Sequence, residues 1–151
     1  MRAKGNKNVV KKVAILVTTI VFTISTCCIT ASAGMLGSDT VSSTVYGTTA
    51  TGNLYVYDTY AYANTSYGRS GSNISLSATV VATYRYGGDD IYLSDYDNTS
   101  GGGAEARVEL SLSDYPNAVF LDVDGQHEVR NYVNGALLQS GHWLDFTNWT
   151  R

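Results

Sequence analysis

The amino-acid sequence predicts an all-β protein: an antiparallel β-sandwich of about seven short strands, preceded by a helical signal peptide. Three observations carry this prediction. A basic start and an apolar run open the chain, side chains after residue 52 alternate between apolar and polar with period two, and turn signals recur about every 8–12 residues. No segment after residue 33 shows a sustained helical period. A small barrel is the alternative arrangement of the same strands.

The start of the chain has the three parts of a secretory signal peptide, which we assign to residues 1–33. Residues 1–12 are basic, residues 13–29 are apolar, and Ala31-Ser32-Ala33 supplies the small residues that a signal peptidase reads. We expect cleavage between Ala33 and Gly34, and hence a secreted, extracellular protein that meets a membrane only through this segment. The alternative is a protein anchored by an uncleaved N-terminal helix, although an apolar run of about 17 residues is at the lower limit for spanning a bilayer.

The charges divide at the predicted cleavage site. All the lysines lie in the first twelve residues, whereas residues 34–151 hold five arginines and thirteen acidic residues, a net charge of −8. An acidic chain with scattered arginines is a poor nucleic-acid binder, because phosphate neutralisation needs clustered cations. Both cysteines, Cys27 and Cys28, also belong to the leader. The mature chain is therefore free of disulfides and depends on its core for stability.

Two segments make up the rest of the chain. Residues 34–52 are a Gly/Ser/Thr-rich N-terminal segment with one strand near Thr44–Thr48, and residues 53–151 form the β-sandwich domain. Alternation predicts strands at 74–86 and 104–113, each with one buried face. Read as one continuous strand, residues 53–63 place tyrosines on both faces: Leu54, Val56, Tyr60 and Tyr62 on one, and Tyr55, Tyr57, Thr59 and Ala61 on the other.

The last third of the chain carries the strongest turn signals. Asp124-Gly125 and Asn134-Gly135 both fit two-residue type I′ hairpins. They predict a three-stranded meander of 117–123, 126–133 and 136–144. The first turn would bring Asp122 opposite His127.

Residues 87–103 form the longest stretch without a clear strand pattern, an acidic, glycine-rich loop. Asp95 and Asp97 are its candidate calcium ligands, because calcium prefers carboxylate oxygens. An EF-hand is excluded, since Ser100 and Ala106 stand where that motif needs Gly and Glu. The favoured alternative is a solvated flexible loop, which also has room for a short strand at 91–94. Calcium is the one cofactor that the sequence suggests.

No pattern predicts catalysis, so we expect no enzyme and assign no catalytic residue. The chain has no G-x-S-x-G elbow and no histidine–carboxylate metal signature. Asp122 and His127 are better explained as a surface charge pair than as a catalytic dyad.

Aromatic residues are the most distinctive feature, at about 14% of residues 34–151. Tyrosine combines a flat apolar ring with a hydroxyl and suits both sugars and protein interfaces. The alternative is that these rings fill the core, because tyrosine is also a favoured strand residue. One tyrosine cluster lies at residues 55–67, and the candidate ligand-binding residues are Tyr84, Tyr86, Tyr92, Tyr96 and Trp143.

Tyr67-Gly68, the run Ser77-Ala78-Thr79-Val80-Val81 and a Gly/Asn loop before residues 104–110 resemble the lactococcin-type bacteriocins. The resemblance covers about 45 residues and implies a small secreted β-sandwich that acts on cell-wall precursors of competing bacteria. This mature chain departs from that pattern in being longer, lysine-free and strongly acidic, which disfavours attraction to anionic envelopes.

The sequence therefore predicts a secreted, non-enzymatic β-sandwich that binds a glycan or an extracellular or envelope protein. Two alternatives remain: a bacteriocin-like protein that acts on the envelope of competing bacteria, and a passive extracellular structural or matrix component, suggested by the richness in Gly, Ser, Thr and Tyr.

Overall fold

A computed structural model describes residues 34–100 and 104–151. They form two four-stranded antiparallel sheets that pack face to face, which confirms the β-sandwich rather than a closed barrel. The predicted signal peptide, including Ala33, lies outside the described residues, and none of the described residues forms a helix able to cross a membrane. The strands are β1 (Met35–Val45), β2 (Thr48–Tyr57), β3 (Tyr60–Tyr67), β4 (Ile74–Tyr86), β5 (Asp89–Ser100), β6 (Glu105–Ser111), β7 (Val119–Val133) and β8 (Ala136–Thr150).

The first sheet, sheet A, has the strand order β1-β2-β3-β6, and the second, sheet B, has the order β5-β4-β7-β8. Three hairpins close with two-residue turns in which both residues have positive φ, the geometry of a type I′ turn: Tyr46-Gly47, Gly87-Gly88 and Asn134-Gly135. Val133 pairs with Ala136 across the last of them, so the predicted Asn134-Gly135 hairpin is confirmed.

The core lies between the two sheets, where every second residue of the inner strands is buried. It includes Leu54, Val56, Leu76, Val80, Tyr84 and Phe120. Residues 34–52 belong to this sandwich, because they form all of β1 and the first half of β2 rather than one strand near Thr44–Thr48.

The predicted turn at Asp124-Gly125 is wrong, and so is the meander built on it. β7 runs without a break through both residues, which pair with Asn148 and Thr147 of β8. Gly125 is buried in an extended strand, and a Cβ there would overlap the Thr147 hydroxyl. The glycine therefore makes room for a neighbour instead of permitting a turn.

The loss of that turn also separates Asp122 from His127. Asp122 pairs with Thr150 and accepts hydrogen bonds on the outer face of sheet B, whereas His127 points into the core. The predicted surface charge pair does not form.

His127 is fully buried and joins the two sheets through hydroxyl groups. Its Nδ1 lies 3.1 Å from the Oγ1 of Thr65 on β3, and its Nε2 lies 2.8 Å from the Oγ1 of Thr147 on β8. Thr65 gives its only hydroxyl proton to the carbonyl oxygen of Ser77, at 2.7 Å. The Nδ1 of His127 therefore carries a proton and donates to Thr65, while Nε2 accepts from Thr147.

Two glycines make space for this imidazole. A Cβ at Gly52 on β2 would overlap the ring of His127, and one at Gly125 would lie 3.0 Å from its Nε2. Because β2 belongs to sheet A and β7 to sheet B, Gly52 lets the two sheets approach at the level of the imidazole.

The edges of the two sheets are joined by aspartates. On one side, Asp39 of β1 accepts the backbone N–H of Asn148 on β8 at 3.0 Å. On the other, Asp97 of β5 accepts the backbone N–H of Arg107 on β6, also at 3.0 Å. Each bond uses an edge N–H that would otherwise be free to pair with another chain.

Acidification should destabilise the protein through His127. Burial lowers the pKa of this imidazole from 6.5 to about 4. Between these values the unfolded state binds the proton and the folded state does not, so the free energy of unfolding should fall by about 3 kcal/mol from pH 6.5 to pH 4. Chemical denaturation across this pH range measures the loss.

His142→Gln is the matched control, because His142 lies on the outer face of sheet B, and it should keep this pH dependence. An NMR titration of the His127 ring checks the cause directly. A pKa near 6.5 in the folded protein would contradict the explanation.

Removing an edge aspartate should weaken the sandwich and free its edges. We expect Asp39→Ala or Asp97→Ala to lower the free energy of unfolding by about 1 kcal/mol, since each leaves a backbone N–H without its acceptor. Self-association in analytical ultracentrifugation should rise as well. Asp114→Ala, at an exposed aspartate between β6 and β7, is the control. Equal stability and an unchanged sedimentation profile in all three variants would rule out this role.

Candidate functional site

The structure does not bring the predicted ligand-binding residues together. Tyr84 and Trp143 are buried in the core and offer no ring to a ligand. Burial, with Tyr115 as the next cause, raises the pKa of Tyr84 to about 12, so its phenol stays protonated. Tyr86 packs edge-on against Tyr115, with ring centroids 5.6 Å apart. Of the predicted set, Tyr92 and Tyr96 are well exposed, on β5 at the edge of sheet B.

The predicted acidic loop is largely a strand. After the Gly87-Gly88 turn, β5 pairs with β4 along its whole length, from Asp89 opposite Tyr86. Asp95 accepts the N–H of Tyr96 at 2.8 Å, and Asp97 accepts that of Arg107. Both candidate calcium ligands thus already bind backbone donors. In residues 34–100 and 104–151, no three His, Cys, Asp or Glu side chains are grouped to hold a metal ion.

A row of four tyrosines occupies the outer face of sheet A. A turn at Asp58-Thr59 divides the segment 53–63 into two strands, so its interpretation as one continuous strand is wrong. The turn folds β3 back on β2, and residues with outward side chains on both strands now share one face. The tyrosine row consists of Tyr55 and Tyr57 on β2 and Tyr60 and Tyr62 on β3.

The four rings stand nearly parallel. Tyr55 stacks on Tyr62, its direct cross-strand partner, with ring centroids 4.9 Å apart and planes 25° apart. Tyr57 stacks on Tyr60 at 4.5 Å and 12°. Tyr62 also lies parallel to Tyr57 and Tyr60, at 6.4 and 6.5 Å. In each stacked pair one ring face covers the other.

A cation completes the row on β6. The guanidinium carbon of Arg107 lies 4.0 Å from the centroid of the Tyr62 ring, a cation–π contact. An Nη of Arg107 also lies 3.7 Å from a carboxylate oxygen of Glu109. Tyr62 is therefore packed between Tyr55 and Arg107. Partial burial, followed by the nearby Tyr57, raises the pKa of both Tyr60 and Tyr62, so these hydroxyls remain neutral donors near pH 7.

Next to the tyrosine row, a chain of hydrogen bonds crosses all four strands of sheet A. Thr40 on β1 donates to the amide oxygen of Asn53 at 3.0 Å, and Asn53 donates to the amide oxygen of Asn64 at 2.9 Å. Asn64 then donates to a carboxylate oxygen of Glu105 at 2.8 Å. We call these four residues the amide row. Because each side chain holds the next, the face has little rotamer freedom left to lose on binding.

A second polar cluster lies on the outer face of sheet B. Glu128 accepts from Arg130 Nε and from His142 Nε2, both at 2.7 Å, and Ser77 Oγ lies 3.4 Å from its other oxygen. The carboxylate is nearly buried and two basic side chains occupy it. This arrangement is typical of a structural charge cluster, since Ser77 contacts the carboxylate rather than the imidazole.

Sequence reasoning predicted a tyrosine cluster at residues 55–67 but divided its rings between two faces, because the shared face depends on one turn. Asp58-Thr59 contains no Gly, Pro or Asn, and a single Asp between strand-forming residues is a weak turn signal. The structure shows the turn as a change in the alternation: Val56 and Ala61 are both buried, although residues five positions apart in one continuous strand would lie on opposite faces.

Comparison of the chain with protein-family models, with curated proteins and with solved structures found no match.

The stacked tyrosines should stabilise each other measurably. In a double-mutant cycle of Tyr55→Ala and Tyr62→Ala, we expect a coupling energy of about 0.5–1 kcal/mol, since both the ring contact and the cross-strand pair are lost together. Urea denaturation of the four proteins measures it. Tyr55 with Tyr92, which lie on different sheets, is the control pair and should show no coupling. Additive effects in the first cycle would contradict the stacking.

Proposed function

We propose that this chain is a secreted, non-enzymatic binding protein that docks an extracellular protein through the outer face of sheet A. The observation that carries the proposal is the tyrosine row held rigid beside the amide row. Tyrosine, arginine and asparagine are the residue types that dominate protein recognition surfaces, because they combine contact area with hydrogen bonding at low entropic cost.

The ring geometry favours a protein over a glycan at this face. A sugar stacks on a free aromatic face, whereas the tyrosine row uses ring faces against each other and Arg107 covers Tyr62. Ring edges and hydroxyls are what such a stack offers to a partner. These groups suit the carbonyl oxygens and apolar side chains of a protein surface.

The charge of the chain suggests the chemistry of the partner. Residues 34–151 carry a net charge of −8 and no lysine. Such a field speeds encounter with a positively charged surface and slows encounter with an acidic one. We therefore infer a partner with a basic docking surface, held by the tyrosines and guided by the acidic residues.

The test is a binding assay with paired variants. The purified protein is used as bait to capture proteins from the surface of cultured cells. The dissociation constant between the protein and each purified candidate is then measured by calorimetry. Tyr57→Ser with Tyr62→Ser should weaken binding by about 30-fold or more, the loss expected for hot-spot aromatics. Tyr92→Ser with Tyr96→Ser, on the outer face of β5, should leave it unchanged.

An equal loss of affinity in both double variants would overturn the proposal. So would a candidate whose affinity is unchanged by the substitutions in the tyrosine row. A glycan array run in parallel decides between the classes. Binding of a glycan that depends on Tyr57 and Tyr62 would replace the protein partner with a sugar.

A further inference from the structure

The end of the sandwich opposite the tyrosine row contains a cleft. β2 runs from the Tyr46-Gly47 turn at this end to the tyrosine row at the other. The cleft lies between that turn, the β3–β4 connection and the β7–β8 hairpin, and its volume is about 280 Å³. This volume lies just below the usual range of small-molecule sites, which begins at about 300 Å³, so the cleft suits a group the size of a single ring.

Arg69 gives the cleft its charge. It is the one ionisable side chain with a full charge at neutral pH among the lining residues, which include no acid. Within the described part of the chain, the salt bridges involve Arg85, Arg107, Arg130 and His142, and none involves Arg69. Residues 34–151 carry a net charge of −8, and a guanidinium without a carboxylate partner in such a chain is a candidate anion-binding group.

Tyr46 holds this guanidinium and is itself held in an unusual backbone conformation. The guanidinium carbon of Arg69 lies 5.6 Å from the centroid of the Tyr46 ring. Tyr46 has φ 45°, in the left-handed region that type I′ turns normally fill with Asn, Asp or Gly. A bulky residue at positive φ costs free energy, and such strain is concentrated at binding sites. The strained turn places an exposed aromatic ring at the cleft, beneath its only cation.

Two amide side chains of the cleft lining each use an N–H on the backbone of the protein. Asn73 donates its amide N–H to the carbonyl oxygen of Tyr132 at 3.2 Å, and Asn131 donates to that of Gly141 at 2.8 Å. Their amide oxygens are left to receive hydrogen bonds from a ligand. A ligand for this cleft therefore needs an anionic group for Arg69, hydroxyl donors for the amides, and a ring that packs against tyrosine.

We propose that this cleft binds a monosaccharide unit that carries a carboxylate, such as a uronic acid. The guanidinium of Arg69 forms paired hydrogen bonds with the carboxylate. The sugar ring packs beside the guanidinium on the exposed part of the Tyr46 ring, and its hydroxyls donate to Asn73 and Asn131. This site is separate from the tyrosine row, and its occupation does not require the protein partner proposed above.

The probes are three small molecules titrated into the purified protein at low salt: methyl glucuronide, methyl glucoside and acetate. Backbone amide shifts in an NMR spectrum report binding. Methyl glucuronide should shift the amides of Gly47 and residues 69–73, and the neutral glucoside, which matches it in shape, should bind about tenfold more weakly or worse. Arg69→Gln should produce the same loss. Arg69 is exposed, so this variant should fold as the wild type does.

Arg85→Gln is the matched control, since Arg85 pairs with Asp90 and does not line the cleft. Tyr46→Ser should weaken the binding of methyl glucuronide. It should keep the preference for methyl glucuronide over methyl glucoside, because the Arg69 cation remains. The proposal is overturned if the glucoside binds as well as the glucuronide, if acetate alone binds as tightly, if Arg69→Gln has no effect, or if no probe shifts the cleft amides.

Discussion

The sandwich depends on one buried side chain, His127, and on the two glycines that make room for it. An imidazole between two sheets must satisfy both ring nitrogens or lose its hydration without compensation. Here Thr65 and Thr147 satisfy them, and Thr65 passes the chain of hydrogen bonds on to the backbone of β4. Because the bonds have direction, they fix which residues of sheet A face which residues of sheet B, a choice that apolar packing alone leaves open.

Around this centre, several charged side chains stabilise the sandwich. Aspartates at the sheet edges bind backbone donors of the opposite sheet, and Glu128 is held by Arg130 and His142. Several of the acidic residues, which outnumber the basic ones, therefore have a structural partner. Both of the proposed binding sites include a contact between an aromatic ring and an arginine: Tyr62 with Arg107 on the face of sheet A, and Tyr46 with Arg69 at the end of the sandwich.

Alternation is a local property, so it predicts the fold class from the strands that bury one face, such as β4 and β6. The edge strand β5 lacks it, and the sequence predicted a loop there. The Asn134-Gly135 hairpin could be predicted because it is also a local feature: the two residues that adopt positive φ are adjacent in the sequence. The same reasoning failed at Asp124-Gly125, where an identical signal has a different cause. A side chain at position 125 would overlap Thr147, which is 22 residues away in the sequence. A local sequence pattern cannot reveal this contact. The shared face of the tyrosine row depends on a turn that lacks Gly, Pro and Asn. Tyr84 and Trp143 are candidate binding residues by their chemistry alone. The structure supports the alternative for both, burial in the core, and Tyr84 lies in the alternating apolar series of β4.

The path of the chain has a consequence for how the protein can form. β3 pairs with β6 in sheet A, although β4 and β5 of sheet B lie between them in the sequence. In the same way β4 pairs with β7 in sheet B, and β6 of sheet A lies between them in the sequence. Neither sheet can be finished before the other is well advanced. A chain that emerges from its N-terminus, whether from a ribosome or through a translocation pore, still lacks β6 from one sheet and two strands from the other when residue 100 appears. The complete sandwich therefore forms late in synthesis, after β6, β7 and β8 have been delivered.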